Sequence, residues 1–211
     1  MAHRAYLALW NRRSTHNLLG NTIGATHGQW LAPGFSGVGA GMDSFFEYGI
    51  KGAILLSELS LRYCKSLLTS QRTDDDTYLD IFQDSYSAIQ TFVRTDDGFI
   101  VSRSPHVWSP LNYKQYRPVQ FRVLHPATPS TIDSLAAFLP GMQVLAGDLE
   151  SAIKAHLVYW NLWRRYSAIP ESWDWVDRRI EWAGWPGRPE FIESTFYLYQ
   201  VSPTLSMIRM D

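Results

Sequence analysis

The sequence has little of three features that mark common functional classes. A single cysteine, Cys64, excludes an internal disulfide and is compatible with either a reducing or a secretory compartment. Its 19 lysine and arginine residues nearly balance its 20 aspartate and glutamate residues, and the charges are scattered, so we expect neither nucleic acid nor an anionic membrane as a partner. The sequence contains no run of about 18 apolar residues that would predict a transmembrane segment, and its first residues lack the apolar core of a signal peptide.

The histidines do not show the spacing of a metal site. His106, His125 and His156 lie far apart along the chain, and we therefore predict no zinc site. His156 stands on the apolar face of a predicted helix, which favours a position in the protein core over a role as a ligand.

Helical periodicity and a high apolar content are what the sequence does have. It is 211 residues long, 45% hydrophobic and 14% aromatic, which suits one packed domain. Apolar spacing predicts an all-α chain of αα-hairpins, with a small β-hairpin at 18–30 and loops at 72–77 and 167–186. Short strands are predicted near 99–102 and 119–124 within a long irregular connection. The predicted helices cover 2–13, 42–57, 59–70, 78–94, a stretch from 130 that Pro140-Gly141 should bend or end, 147–166 and 189–200.

A glycine-rich stretch, Gly37-Val-Gly-Ala-Gly-Met-Asp43, precedes a predicted helix. Alternating glycines allow close approach to the backbone, and Asp43 falls in the first helical turn, where the helix dipole favours a negative charge. We therefore expect Asp43 to be ionised. Glu47 follows one turn later on the same face. The alternative interpretation is an aspartate that only compensates the dipole, with an exposed Glu47.

A second acidic stretch, Gly187-Arg188-Pro189-Glu190, begins the last predicted helix, and Glu193 follows one turn on. Proline and glutamate are also common at ordinary helix starts, and Arg188 could simply pair with Glu190. Since alternate helices of a hairpin array run in the same direction, the helix starts at Met42, Ser130 and Pro189 can gather at one end. Asp43, Asp133 and Glu190 would then surround one pocket.

Five ordered segments resemble the class I α-1,2-mannosidases of glycoside hydrolase family 47, and most closely the endoplasmic-reticulum degradation-enhancing mannosidase-like proteins. The resemblance is weak over 60–130. It implies a barrel of seven αα-hairpins, (α/α)7, of which this chain supplies about half, so that 1–211 is a partial catalytic domain with its N- and C-terminal parts missing. The segments are 18–30 (Leu-Leu-Gly-Asn-Thr-Ile, then Gly-Gln-Trp), 37–51, 132–145 (Ile-Asp-Ser-Leu), 163–171 (Trp-Arg-Arg-Tyr, then Ile-Pro-Glu) and 187–199.

The resemblance also implies a chemistry, namely hydrolysis with inversion by paired carboxyl groups. Matching positions assign catalytic roles to Asp43, Glu171 and Glu190, with Glu190 as the general base. A proposed general acid in a Phe-Glu-x-x-Ile-Arg segment is expected before residue 1, and a calcium-binding threonine after residue 211, so the cofactor Ca2+ has no predicted ligand within this chain. Substrate-binding roles fall on Arg188, Glu193, Asp133 and Glu47, although Asp133 also suits a helix cap and Glu171 a solvent-exposed loop.

The implied substrates are high-mannose Asn-linked glycans of misfolded glycoproteins in the lumen of the endoplasmic reticulum, with oxidoreductases of that compartment as further partners. Asp133-Ser134 favours the degradation branch, since processing mannosidases usually carry Asp-His there. Two rival functions remain open at this stage: a mannose-binding module without turnover, and an unrelated helical scaffold. The tryptophans between Glu171 and Glu190 suit either a sugar platform or packing beneath a loop. The chain alone is predicted to be inactive and marginally stable.

Overall fold

The computed structural model describes residues 1–31, 36–63, 74–94 and 131–201. These ranges are mostly helical, which confirms the helical character, but they also contain a small antiparallel sheet that an all-α class does not include. The barrel of seven hairpins stays a prediction. The helices are α1 (Ala2–Trp10), α2 (Asp43–Tyr63), α3 (Asp74–Ala88), α4 (Leu139–Leu145), α5 (Leu149–Tyr166) and α6 (Glu190–Val201), and the strands are β1 (Thr131–Asp133), β2 (Ser172–Asp174) and β3 (Arg179–Trp182).

Helix α5 begins and ends where its sequence predicts. The Asp148 side chain accepts a hydrogen bond from the backbone N–H of Ser151 at 3.2 Å, and Ser167 ends the helix in the left-handed conformation at φ 58°. Its buried face consists of Ala152, His156, Tyr159 and Leu162. The predicted core position of His156 is therefore confirmed. Apolar spacing along this helix also predicts core positions for Leu149 and Leu157, which is wrong, since both are exposed.

Helix α2 continues through Tyr63 without the predicted break at 57–59, because no glycine or proline interrupts 57–63. Residues 64–70 of the second predicted run lie outside the described residues. Helix α3 begins at Asp74, so residues 74–77, of which the first three are aspartates, start a helix instead of forming a loop, as the dipole favours. A single π-helical turn, Ile89–Val93, follows α3 and completes the helical stretch predicted to end at Arg94.

The predicted helix start at Ser130 lies outside the described residues, and the chain from Thr131 forms a strand first and a helix later. Strand β1 leads into a 3₁₀ turn, Leu135–Phe138, and then into α4. Pro140 lies in the first turn of α4, where its missing N–H costs nothing. The predicted bend at Pro140-Gly141 is thus a helix start.

The three strands form one antiparallel sheet in the order β1-β2-β3. Ile132 of β1 lies opposite Trp173 of β2, and the β2–β3 hairpin replaces the loop predicted at 167–186. Its turn is built by the Asp174 carboxylate, which accepts the backbone N–H groups of Val176 at 2.8 Å and Asp177 at 2.9 Å.

The β-hairpin predicted at 18–30 is reduced to one bridge between Ile23 and Trp30, around a turn in which Gly24 N–H donates to the Gln29 carbonyl. The strands predicted near 99–102 and 119–124 lie outside the described residues. Within the described ranges, no helix is long and apolar enough to cross a lipid bilayer.

The main hydrophobic core joins α2, α4, α5, α6 and the 3₁₀ turn. Phe46, Phe138, Leu139 and Phe191 are nearly fully buried in it. A smaller cluster of Trp10, Leu19 and Ile81 holds α1 against α3. Helices α2 and α6 both pack on this core, which holds the residues at their N-terminal ends in one site.

Candidate active site

Four carboxyl groups and one guanidinium come together where α2 and α6 begin. We call Asp43, Asp133, Glu171, Arg188 and Glu190 the acidic cluster. The charges of Asp43 and Glu171 each act on Asp133 and on Glu190, and the positive charge of Arg188 acts on Asp43 and Glu190. Of the three residues with predicted catalytic roles, Asp43 and Glu171 therefore each lie within electrostatic reach of Glu190.

Glu171 is the most firmly held carboxylate of the acidic cluster. Arg188 donates to both of its oxygens, from Nε to Oε2 at 3.1 Å and from a terminal nitrogen to Oε1. The Ser134 hydroxyl donates to Oε2 at 2.8 Å. Burial favours the neutral acid, but these hydrogen bonds outweigh it and lower the pKa of Glu171. Glu171 is thus a buried, ionised carboxylate, not an exposed loop acid.

Arg188 pairs with Glu171, not with Glu190 as the alternative interpretation of the sequence supposed. The backbone supports this arrangement on both sides of Glu171. Its N–H donates to the Gly184 carbonyl at 3.0 Å, and its carbonyl accepts the Ser134 N–H at 3.0 Å. Strands β1 and β2 and the segment before α6 therefore fix Glu171 from three directions.

Asp133 links the acidic cluster to the glycine-rich stretch. Its Oδ1 accepts the Ala136 N–H at 2.9 Å, and its Oδ2 accepts the Ala40 N–H at 3.4 Å. It therefore caps the 3₁₀ turn, as the helix-cap interpretation expected in part. Burial is the main cause that raises the pKa of Asp133 to about 6, and the charges of Asp43 and Glu171 add to it.

Gly39 is needed because the Asp133 carboxyl occupies the space of a side chain. A Cβ at position 39 would lie 1.8 Å from Oδ2 of Asp133 and 2.4 Å from its Cγ. Gly41 adopts φ +91°, a conformation that other residues rarely take. The close approach predicted for the glycine-rich stretch is therefore made by a carboxyl group of the protein itself.

Asp43 and Glu190 occupy the first turns of α2 and α6, where the sequence predicted that the helix dipole would favour the ionised form. The pKa of each is raised instead, chiefly by burial. Backbone N–H groups and Arg188 oppose that rise only in part. Oε2 of Glu190 is buried, and no described residue places a hydrogen-bond partner within reach of it.

Glu47 and Glu193 lie one turn further along the same two helices and meet at Lys51. The Lys51 ammonium lies 2.6 Å from Oε1 of Glu47 and donates also to Oε1 of Glu193. Burial is the largest cause that raises the pKa of Glu47. The glutamate is half-buried, so the interpretation of Glu47 as an exposed residue is wrong.

Sequence analysis did not single out Lys51, although its spacing of four residues from Glu47 on α2 was a usable signal. We call Lys51, Glu47 and Glu193 the lysine bridge. Burial opposes its charge, but the two carboxylates outweigh that effect and raise the pKa of Lys51. Lys51 therefore stays protonated between the carboxylates of the two helices.

The tryptophans between Glu171 and Glu190 divide between the two interpretations that the sequence left open. Trp173 and Trp175 pack against the main core. Trp182 is 46% exposed and Trp185 is 59% exposed, on the segment whose Gly184 carbonyl binds the Glu171 N–H. Of these four tryptophans, only Trp182 and Trp185 expose a large part of the side chain to solvent.

A calcium ion is the cofactor that the family resemblance implies. In the part of the chain that the structure describes, no three His, Cys, Asp or Glu side chains are arranged to hold a metal ion. The described residues therefore do not by themselves fit a calcium site, and the chemistry below is derived from protein groups alone.

Comparison with known proteins identifies the family. The model of glycosyl hydrolase family 47 matches residues 1–205. ER degradation-enhancing alpha-mannosidase-like protein 1 of Schizosaccharomyces pombe is 35% identical over 95% of this chain and 21% of its own length. ER degradation-enhancing alpha-mannosidase-like protein 2 of Homo sapiens is 32% identical over 100% of this chain and 31% of its own.

A plant relative, Alpha-mannosidase I MNS4 of Arabidopsis thaliana, is 30% identical over 96% of this chain and 27% of its own length. The chain thus spans between a fifth and a third of the curated relatives named here. Since the family model covers nearly all of its residues, the chain belongs to glycosyl hydrolase family 47.

Proposed function

We propose that this chain is part of the catalytic domain of an α-1,2-mannosidase that trims high-mannose Asn-linked glycans. The support is its family, the names of its relatives, and one structural observation that carries the argument. That observation is the acidic cluster, in which carboxyl groups from four separate segments meet around one arginine. A scaffold with no site gives no reason to bring so many acids together, since like charges repel.

The carboxyl groups of the acidic cluster differ in the direction of their pKa shifts, and hydrolysis with inversion needs one carboxyl group as acid and another as base. A general base needs a free lone pair and an adequate pKa. Glu190 offers both, because its Oε2 lacks a partner among the described residues and its pKa is raised. In this proposal Glu190 accepts a proton from the attacking water, and Asp43 lies beside it.

Glu171 is the second candidate for the base. Its lowered pKa keeps it ionised over a wide range of pH, although Arg188 and Ser134 already occupy both of its oxygens. If Glu190 is the base, Glu171 holds the Arg188 guanidinium in place. The assignment of the base to Glu190 and its assignment to Glu171 predict different inactive variants, so one experiment separates them.

The wider setting is proposed from the relatives and the family. The relatives' names connect them with degradation in the endoplasmic reticulum. We propose that lumen as the location, misfolded glycoproteins as carriers of the glycan, and oxidoreductases of the same compartment as further partners. A calcium requirement and inversion at the anomeric carbon are also part of the proposal, and calcium would need ligands beyond those described.

A second function, mannose binding without turnover, is favoured by one specific observation. Trp182 and Trp185 expose aromatic surface on the segment bonded to Glu171. Such surfaces are suited to the C–H faces of sugars and need no reacting group. This function predicts glycan affinity in the unmodified protein without release of mannose.

The test uses the full-length protein with calcium and a labelled high-mannose glycan, with release and affinity measured separately. We compare Glu190→Gln and Glu171→Gln, with Glu150→Gln as a control because Glu150 is an exposed glutamate on α5. Glu190→Gln should lower turnover by about 10²–10⁴-fold, as loss of a general base does, and should leave affinity nearly unchanged. The control should match the unmodified protein.

Normal turnover in Glu190→Gln together with lost turnover in Glu171→Gln would transfer the base to Glu171. Affinity without turnover in the unmodified protein would favour the binding function. Absence of both would remove the proposal altogether.

A further inference from the structure

Lys51 occupies a position that the proposed chemistry does not use directly. Its ammonium lies between carboxylates on two different helices, Glu47 of α2 and Glu193 of α6. It also lies 5.8 Å from the centre of the Tyr197 ring, one further turn along α6. Side-chain exposures of 26% for Lys51 and 17% for Glu47 make this a partly desolvated pair, where charges interact more strongly than at the surface.

The contacts between α2 and α6 follow one another in order. Asp43 acts on Glu190 at the first turns, Lys51 binds Glu193 next, and Lys51 then faces Tyr197. These interactions come in the same order along both helices, which meet here through side chains, whereas the backbone of α6 packs mainly on α4 and the 3₁₀ turn. Because each helix is rigid over a few turns, a shift at the lysine bridge displaces the first turns as well.

Removing the lysine charge would leave two carboxylates facing each other. Glu193 already raises the pKa of Glu47 by repulsion and by a shared hydrogen bond, and Lys51 opposes this. The charged groups that act on Glu47 from its own helix and from α6 are Lys51 and Glu193 respectively. Without the cation, repulsion would push α6 away from α2 at the turn next to the acidic cluster.

We propose that Lys51 is a positioning residue that fixes α6 against α2 and so sets the placement of Glu190 relative to Asp43. It contacts no reacting atom in this account and acts through Glu47 and Glu193. This inference rests on the proposed function, because it assigns a catalytic consequence to a contact between helices.

The experiment compares three variants of the full-length protein. Lys51→Met removes the charge and keeps the apolar stem, and Lys51→Arg restores a cation that can bind two carboxylates. Lys154→Met is the matched control, because Lys154 also pairs with a glutamate four residues earlier, Glu150, at 2.6 Å, but on the exposed surface of α5. Surface pairs of that kind contribute little.

We expect Lys51→Met to lower kcat by about 10–100-fold, the loss that a misplacement of about 1 Å can cause. Lys51→Arg should recover most of it, and Lys154→Met should equal the unmodified protein. A merely structural salt bridge would change the melting temperature and leave kcat at full value in the folded fraction. Unchanged kcat in folded Lys51→Met, or no recovery in Lys51→Arg, overturns the inference.

Backbone hydrogen exchange tests the positioning role independently of turnover, because a merely structural salt bridge would speed exchange throughout the domain. Faster exchange confined to 190–197 in Lys51→Met, compared with Lys154→Met, supports the positioning role even if the unmodified protein releases no mannose, which would refute the proposed function alone. Equal exchange in the two variants overturns the positioning role whether or not mannose is released.

Discussion

Replacing Gly39 by alanine should disrupt the glycine-rich stretch through a single contact. The added Cβ would lie 1.8 Å from Oδ2 of Asp133, far inside normal contact, so the carboxyl must move. Its displacement breaks the 2.9 Å hydrogen bond from Ala136, worth about 2 kcal/mol for a charged acceptor, and overpacking costs about 1–3 kcal/mol more. We therefore expect a loss of about 3–5 kcal/mol, a large share of a typical domain's stability.

The assay is the melting temperature of the full-length protein, followed by tryptophan fluorescence, in a double-mutant cycle with Asp133→Ala. Because the domain that contains Gly39 is larger than this chain, each kcal/mol should shift its melting temperature by no more than about 2 °C, so Gly39→Ala should melt up to roughly 6–10 °C lower than the unmodified protein. Because Asp133→Ala removes the atoms that clash, the double variant should melt close to Asp133→Ala alone. A small effect of Gly39→Ala, or additive effects of the two changes, would refute the reasoning.

Two further predictions concern titration and sugar binding. Burial raises the pKa of Asp133 to about 6 in the folded protein, so the unfolded chain loses this proton first as pH rises from about 4. Between pH 4 and 6 the free energy of unfolding of the unmodified protein should therefore fall by up to about 3 kcal/mol relative to that of Asp133→Asn. A difference between the two proteins that stays constant with pH in urea unfolding would contradict this. Trp185→Ala should weaken binding of a large high-mannose glycan about threefold to tenfold, as loss of an aromatic contact of about 1 kcal/mol implies, and should leave binding of an α-1,2-linked mannose disaccharide unaffected. Calorimetric titration measures both affinities, with Val176→Ala, an exposed change on the same hairpin, as the control. Equal effects of Trp185→Ala on both sugars would refute the proposed sugar-binding surface.

Much of the helical fold follows from local signals. The Asp148 cap and the apolar spacing after it locate α5 correctly. The β2–β3 hairpin was missed because its turn contains neither glycine nor proline. The Asp174 side chain builds that turn by accepting two backbone N–H groups, a turn signal of aspartate that the sequence prediction did not use. The pairing of Trp173 with Ile132 of β1 could not be predicted either, because it depends on how β1 and β2 meet in the folded chain.

Sequence motifs also identified the residues of the acidic cluster, but not the partners within it. Arg188 stands two residues before Glu190 and seventeen after Glu171, so proximity in the chain suggested the wrong partner. The correct pairing depends on where the β2–β3 hairpin returns the chain. Lys51 was missed for a similar reason, since its partner Glu193 lies 142 residues away.

Three acids at helix starts show why a dipole argument alone does not give the direction of a pKa shift. Asp148, Asp43 and Glu190 share the same local signal, yet burial raises the pKa of Asp43 and of Glu190, whereas hydrogen bonds from Tyr86 and Ser151 outweigh burial at Asp148 and lower its pKa. A helix dipole contributes about 0.3–1 kcal/mol, less than one unit of pKa. Desolvation can shift a fully buried group by about 3–5 units. Packing against the rest of the fold therefore decides the direction of the pKa shift, and the raised pKa of Glu190 supports its proposed role as a base.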